Sequence, residues 1–348
     1  MKRIEELVRP NIQKLAPYSC ARDEFKGEAS IYMDANESCL AGPDGRYPDP
    51  LQTEIKEKLR TYTGLRPEQM MLGNGSDEPI DLVYRVFCNP GVDNVVAIAP
   101  TYGMYKVAAD INDIEYRSVM LEEGSFALNA EKLLAATDAK TKVVWMCSPN
   151  NPTGNKIGMA EMEKVLEKFE GIVVVDEAYG DFTDETILGK VADGKHKNLI
   201  VLKTFSKAWG LAGIRCGMAF ADASIIALFN KVKYPYNVNI LTQRRVLEAL
   251  GNEAAFRRDV RTIVEARDML EARLRSGEIG SVRHVYATDA NFVLVKFDDP
   301  VRVYKALVER GIITRNRNSV TMCEGCLRIT TGTKAENEEL LKALKEIG

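Results

Sequence analysis

Two histidines in 348 residues are too few for the chemistries that lean on imidazole. His196 lies in the polar stretch DGKHKN and His284 at a strand start, so neither a Ser-His-Asp nor a Cys-His arrangement can be assembled. A zinc site on the C-x-x-C of Cys323 and Cys326 would still lack two ligands, and no metal is expected. The seven cysteines follow no spacing pattern; an odd, scattered set fits reduced, buried thiols and not a disulfide framework. Positive charge is not in excess either. With 47 Lys and Arg against 50 Asp and Glu, the net charge is -3, and no basic stripe recommends nucleic acid or an anionic membrane. Small molecules remain as partners. No apolar run reaches the roughly 18 residues of a membrane span. The start MKRIEELVRP carries acids where a signal peptide needs an apolar core, so a cytoplasmic location is expected. Repeats, low-complexity tracts and flexible linkers are missing as well.

What is there is ample apolar material, 45% of residues, in a length that allows about two domains. Short β-rich runs (Val95 to Ala99, Val143 to Met146, Ile172 to Val175, Leu199 to Leu202, Cys216 to Phe220) alternate with amphipathic stretches at 51–62, 80–87 and 159–169. This alternation predicts an α/β fold: a mostly parallel sheet with helices on both faces, three layers in all, over about 36–240. From about residue 240 the pattern becomes one long charged helical run to Arg275, then a strand at 291–297, a helix and a last strand near 327–330, which predicts a smaller α+β domain.

Within that frame the stretch LKTFSKAWGLAGIR, Leu202 to Arg215, sets a lysine between small hydroxyl residues and a glycine-spaced arginine. Lys207 is the candidate nucleophile, because a lysine whose pKa is lowered by other cations and desolvation condenses with an aldehyde such as pyridoxal phosphate (PLP). A straight helix would part Lys207 from Arg215 by about 12 Å, but Gly210 and Gly213 let the chain bend back, so that Arg215 and Ser206 can reach one phosphate. Taken alone, this spacing fits an ordinary surface loop better. Four hydrophobic residues lead into Asp176, at the carboxyl end of a strand where open α/β sheets bind ligands. A carboxylate there can hold a pyridine nitrogen protonated; the alternative is a helix cap. GNGSDE, Gly73 to Glu78, offers backbone N–H groups at a helix start for a phosphate, or simply a start capped by Ser76. It misses G-x-G-x-x-G at Glu78, which disfavours a nicotinamide enzyme. Tyr102 in PTYGMY can stack on a cofactor ring or fill the core.

These motifs, with SPNNPTG (148–154) and VVVDEAY (173–179), stand in an order that resembles the fold-type I PLP-dependent aminotransferases. Pro17-Tyr18, DANES (34–38), RYPDP (46–50), Ile313-Thr314-Arg315 and CLRITTGT (326–333) make the chain most similar to the histidinol-phosphate aminotransferases, over nearly its whole length. The resemblance implies a Lys207 Schiff base with PLP, Ser76 and Asp77 at the phosphate end, and Asn151 with Tyr179 on the ring hydroxyl. It also implies that Arg328 and Arg315 hold the substrate's anionic groups, that Tyr18 and Asn36 lie near the substrate, and that a homodimer lends Tyr47 to the neighbouring site's phosphate. Residues 1–35 are implied to pack with 241–348 as the small domain. Ser38-Cys39 departs from the asparagine and proline that usually follow Asn36-Glu37. The activity implied is amino transfer between L-histidinol phosphate and 2-oxoglutarate, a step of histidine biosynthesis, with Lys207 moving a proton from the substrate Cα. An aromatic aminotransferase or a threonine-phosphate decarboxylase shares the cofactor residues and stays open.

Overall fold

The computed structural model describes residues 2–20, 27, 29–40 and 42–348. Seven strands form its main sheet: β1 (Met70–Asn74), β2 (Asn94–Ala99), β3 (Glu115–Met120), β4 (Thr141–Cys147), β5 (Ile172–Asp176), β6 (Leu199–Thr204) and β7 (Cys216–Ala221), in the order β1-β7-β6-β5-β4-β2-β3. The β3, β2, β4, β5 and β6 neighbours pair in parallel, and β7 runs antiparallel to both β6 and β1. Successive side chains of a strand face opposite ways, so a continuous apolar run feeds two cores at once. Val173 and Val175 of β5 join the core on one face, while Ile172 and Val174 join that on the other. The edge strands β1 and β3 were not among the expected ones: β1 is only five residues ending in Gly-Asn, and β3 alternates exposed and half-buried positions.

A second sheet is antiparallel, in the order β10 (Arg315–Asn316), β11 (Cys326–Thr330), β9 (Phe292–Phe297), β8 (Val282–Val285). Leu327 and Ile329 of β11 and Val293 and Val295 of β9 turn into a separate core closed by the helices Pro300–Glu309 and Lys334–Ile347. Alternation therefore turns Cys326, Arg328 and Leu294 the other way, and Cys326 and Leu294 join the core of the main sheet. Tyr179, Phe182, Ala208, Ala290 and Phe292 fill the seam between the two sheets.

Two expectations are corrected. The single charged helix ending at Arg275 is two helices, Ile240–Leu250 and Glu253–Arg275, because Gly251 stops the first and the Asn252 side chain caps the second at Ala255 N. The start of the chain does not pack with the small sheet. Ile4, Leu7, Val8 and Ile12 join the main-sheet core beside the helix Asp77–Phe87, and Arg9 N donates to Val86 O at 2.9 Å. Ile4 and Leu7 lie one turn apart in the helix Ile4–Leu7, and Ile12 comes from the next helix, Pro10–Lys14, after Val8, whose backbone is extended, and Arg9. All seven cysteines are free, and six are buried, Cys39 being exposed.

Candidate active site

The carboxyl ends of β4, β5 and β6 open into a cavity of about 430 Å³, lined on the main-sheet side by Ser76, Asp77, Tyr102, Asn151, Asp176, Tyr179, Ser206, Lys207 and Arg215 and on the other side by Arg315, Arg317 and Arg328. Buried strands must end somewhere, and the turns that follow carry the polar groups the strands cannot. After β5 comes Asp176, 2% exposed, whose Oδ2 accepts from Tyr105 Oη at 2.6 Å and whose Oδ1 accepts from Ala178 N at 2.9 Å. Burial raises its pKa, against the pull of the Tyr105 hydrogen bond. No α-helix begins here, so the carboxylate is not a helix cap. After β4, Asn150 ties the NNPTG turn to Pro100 O and Thr101 at 2.9 Å each, which frees Asn151 to face the cavity and accept a hydrogen bond from Arg328.

Lys207 follows β6. Burial lowers its pKa first, then the positive charges of Arg328 and Arg215, and its ammonium makes no ion pair within 4.0 Å among the described residues. Its Nζ stands 5.5 Å above the Tyr179 ring, which meets Phe292 edge-on at 5.2 Å. Arg215 sits at φ 52°, in the left-handed region, so its side chain returns toward the β1 turn, where Nη2 lies 3.2 Å from Asp77 Oδ2 and Nη1 3.4 Å from Ser206 Oγ. Two glycines make room for this. A Cβ on Gly75 would lie 2.5 Å from the Arg215 guanidinium, and one on Gly217 would lie 2.3 Å from Ser76 N. Ser76 starts the helix Asp77–Phe87 without a side-chain cap, which leaves its hydroxyl and the helix-start N–H groups facing the cavity. Tyr102 donates to Asp77 at 3.3 Å, and burial pushes its phenol up to about 12.

The opposite wall follows from β-sheet register. Arg315 pairs directly with Arg328 across β10 and β11, and Arg317, two residues on, repeats the facing of Arg315. Arg317 was not singled out in the sequence; the alternation in Arg315-Asn316-Arg317 is the signal that points to it. Tyr105 was also missed, although it stands three residues after Tyr102, at the start of the helix Met104–Ile111, where the two rings meet edge-on at 5.6 Å.

Three expected residues lie elsewhere. Tyr47 is 48% exposed and stacks on Tyr236 at 4.4 Å. Tyr18, 74% exposed, lines another cavity of about 610 Å³ with Leu15, Leu51, Lys233 and Tyr234. Asn36 is exposed at φ 56°, next to Glu37, which accepts from Arg46 and from Tyr47 N at 2.7 Å. None of the three reaches this chain's own cavity.

The family model for aminotransferase class I and II matches residues 24–344. The chain is 52% identical over 347 residues to histidinol-phosphate aminotransferase of Bacteroides thetaiotaomicron, covering 99% of both chains. It is 51% identical over 347 residues to that of Parabacteroides distasonis, covering 100% of this chain and 99% of the other. Among solved structures, histidinol-phosphate aminotransferase from Sinorhizobium meliloti in complex with pyridoxal-5'-phosphate superposes with a TM-score of 0.79 at 23% identity, covering 90% of this chain and 89% of that one.

Proposed function

The chain belongs to the class I and II aminotransferase family, and from that membership we propose that it transfers an amino group between L-histidinol phosphate and 2-oxoglutarate, in histidine biosynthesis. The observation that carries the reading is the opposition, across one cavity, of Lys207 and Asp176 to guanidiniums that lack a carboxylate partner among the described residues. Near-identity of length with relatives that carry this activity supports it.

Pyridoxal phosphate is the cofactor, and the residues fit it. The uncapped Ser76 hydroxyl, the helix-start N–H groups, Ser206 and Arg215 form an anion cradle that a Cβ on Gly75 or Gly217 would fill. When bound, the cofactor supplies a carbonyl for an amine and a ring that accepts the electrons released at a substrate Cα. The chain's own groups do the rest. Asp176 would keep the ring nitrogen protonated, and Tyr105 and Ala178 N fix the orientation of its carboxylate. Lys207, with no ion pair among the described residues and its pKa lowered, is poised as a free amine to hold the cofactor's carbonyl carbon and to move the substrate Cα proton. Asn151 and Tyr179 would serve the ring hydroxyl and Tyr102 would cover the ring, while Arg315 and Arg328 would orient the substrate's anionic group and the carboxylates of glutamate in turn.

The same reading includes a homodimer in which Tyr47 completes the neighbouring site, with Tyr18 and Asn36 near the substrate. Exposed Met33 (93%), Leu40 (91%), Ile31 (76%) and Tyr18 around the N-terminal segment support it. Free thiols agree with a cytoplasmic location. For the domains, the small sheet and its helices hold a core of their own, which favours a second unit, whereas Val246, Leu250, Leu294 and Cys326 join the main-sheet core and residues 4–12 group with the large unit. The test is the half-reaction of the purified yellow protein with histidinol phosphate, phenylalanine or threonine phosphate. Fastest bleaching by histidinol phosphate is expected; preference for phenylalanine would instead make it an aromatic aminotransferase.

A further inference from the structure

Arg317 is a cation that neither the cofactor end nor the pair Arg315 and Arg328 requires. Its backbone N donates to Cys326 O at 2.9 Å, which extends the pairing of β10 with β11 and fixes the residue beside Arg328. Its side chain lines the cavity, and its Nε is buried without a hydrogen-bond partner, as is the Nε of Arg328. Among the described residues no carboxylate forms an ion pair with Arg315, Arg317 or Arg328; Asn151 is the acceptor that one of them uses. Burial and then the charges of Arg328 and Arg315 pull the Arg317 pKa down to about 10. Arg317 is half-buried, and in a purely structural role the Nε that it shuts away from water would take a carboxylate or carbonyl partner. Three guanidiniums gathered without one are held ready for an anion that brings more charge than they can find in the protein.

Resting on the proposed function, we propose that Arg317 is the third guanidinium of a phosphomonoester subsite and sets the preference of this site for a substrate phosphate dianion over a carboxylate in the same place. A phosphomonoester presents three terminal oxygens and up to two negative charges, enough for three planar forks, whereas a carboxylate has two oxygens and one charge, which two forks saturate. Arg315 and Arg328 thus serve both half-reactions, and Arg317 discriminates between them.

The test compares wild-type holoenzyme with Arg317→Gln and Arg317→Lys in separate half-reactions with histidinol phosphate and glutamate. Arg317→Gln is expected to lower kcat/KM for histidinol phosphate about 10- to 100-fold and to shift the ratio of the two substrates by about tenfold or more, with Arg317→Lys between. An equal fall for both substrates would mark Arg317 as structural and overturn the inference, as would an unchanged ratio. Calorimetric titration of the holoenzymes with inorganic phosphate gives a second readout. Wild-type affinity should weaken as the pH falls through neutrality and the inorganic phosphate dianion takes up a proton, and Arg317→Gln should bind about tenfold more weakly or worse, with a flatter pH dependence. If wild type ignores histidinol phosphate yet binds inorganic phosphate through Arg317, the proposed activity falls and the subsite stands; if Arg317 affects neither measurement, the subsite falls alone.

Discussion

At the scale of single residues, the lysine is governed by what surrounds it. Lys207 is partly desolvated and faces two guanidiniums, both of which disfavour its protonated form. Replacing Arg328 with Met removes one like charge, so the amine pKa should rise and the free amine become scarcer at a given pH. The rate at which apo-protein takes up pyridoxal phosphate reads this amine directly, and its rising limb is expected to move to higher pH in Arg328→Met; a limb that stays put removes Arg328 from the account. Lys207→Ala should abolish transamination while the phosphate cradle still binds cofactor, measured by retention on gel filtration. Turnover near the wild-type rate in that variant is incompatible with its proposed role. Lys207, Asp176 and Asn151 were legible because each follows a strand or sits in a turn whose local sequence is distinctive. Arg317 and Tyr105 were not, since their meaning depends on a cross-strand register and on a contact 71 residues away.

Among the elements, the helix Thr53–Thr63 buries a residue that helices usually keep in water. Lys56 is 5% exposed, and burial together with the nearby charge of Lys233 lowers its pKa to about 8. Lys233 keeps its own ammonium bonded to Pro50 O at 2.9 Å and Asn237 Oδ1 at 3.1 Å, so it is the fixed partner in this repulsion. The folded chain thus releases a proton from Lys56 more readily than the unfolded chain does. The penalty of holding it charged is complete below pH 8 and is relieved as the pH rises from about 8 toward 10.5. Lys56→Met is therefore expected to stabilise the protein by about 2 to 3 kcal/mol at pH 7, with the gain shrinking at pH 9.5. Urea midpoints at matched protein concentration measure both; a gain that does not change with pH would mean the lysine's charge is not what costs stability. The same element scale explains what the sequence concealed. Strong runs such as Val173 to Val175 announced themselves, while β1 is a short run ending in Gly-Asn and β3, at a sheet edge, has no fully buried position.

For the whole molecule, alternating runs of strand and helix were enough to read an α/β architecture with a smaller second sheet. They could not say where the first residues go, because a four-residue helix carries an apolar stripe without naming its partner. Nor does one chain bring Tyr47 to its own cavity. If the tyrosine serves a neighbour, a heterodimer of Lys207→Ala with Tyr47→Ala holds one doubly damaged site and one site with both native residues. Unfolding and refolding the two variants together should restore about a quarter of native sites by random pairing, assayed against each variant refolded alone. No gain on mixing, with Tyr47→Ala itself impaired, would assign Tyr47 to its own chain.

The guanidiniums and the lysine belong to different sheets. Arg315, Arg317 and Arg328 hang from β10, β11 and the turn beside them, while Lys207, Asp176 and Ser76 follow strands of the main sheet. Bond-making and the grip on anions are thus written in separate stretches of the gene's reading order, the first finished by residue 215 and the second at 315–328. Substitutions at Arg315 or Arg317 can retune which amine is accepted without altering the charges that set Lys207, whereas Arg328 belongs to both tasks. Such a layout lets specificity change through two residues of one short segment while the lysine keeps its setting.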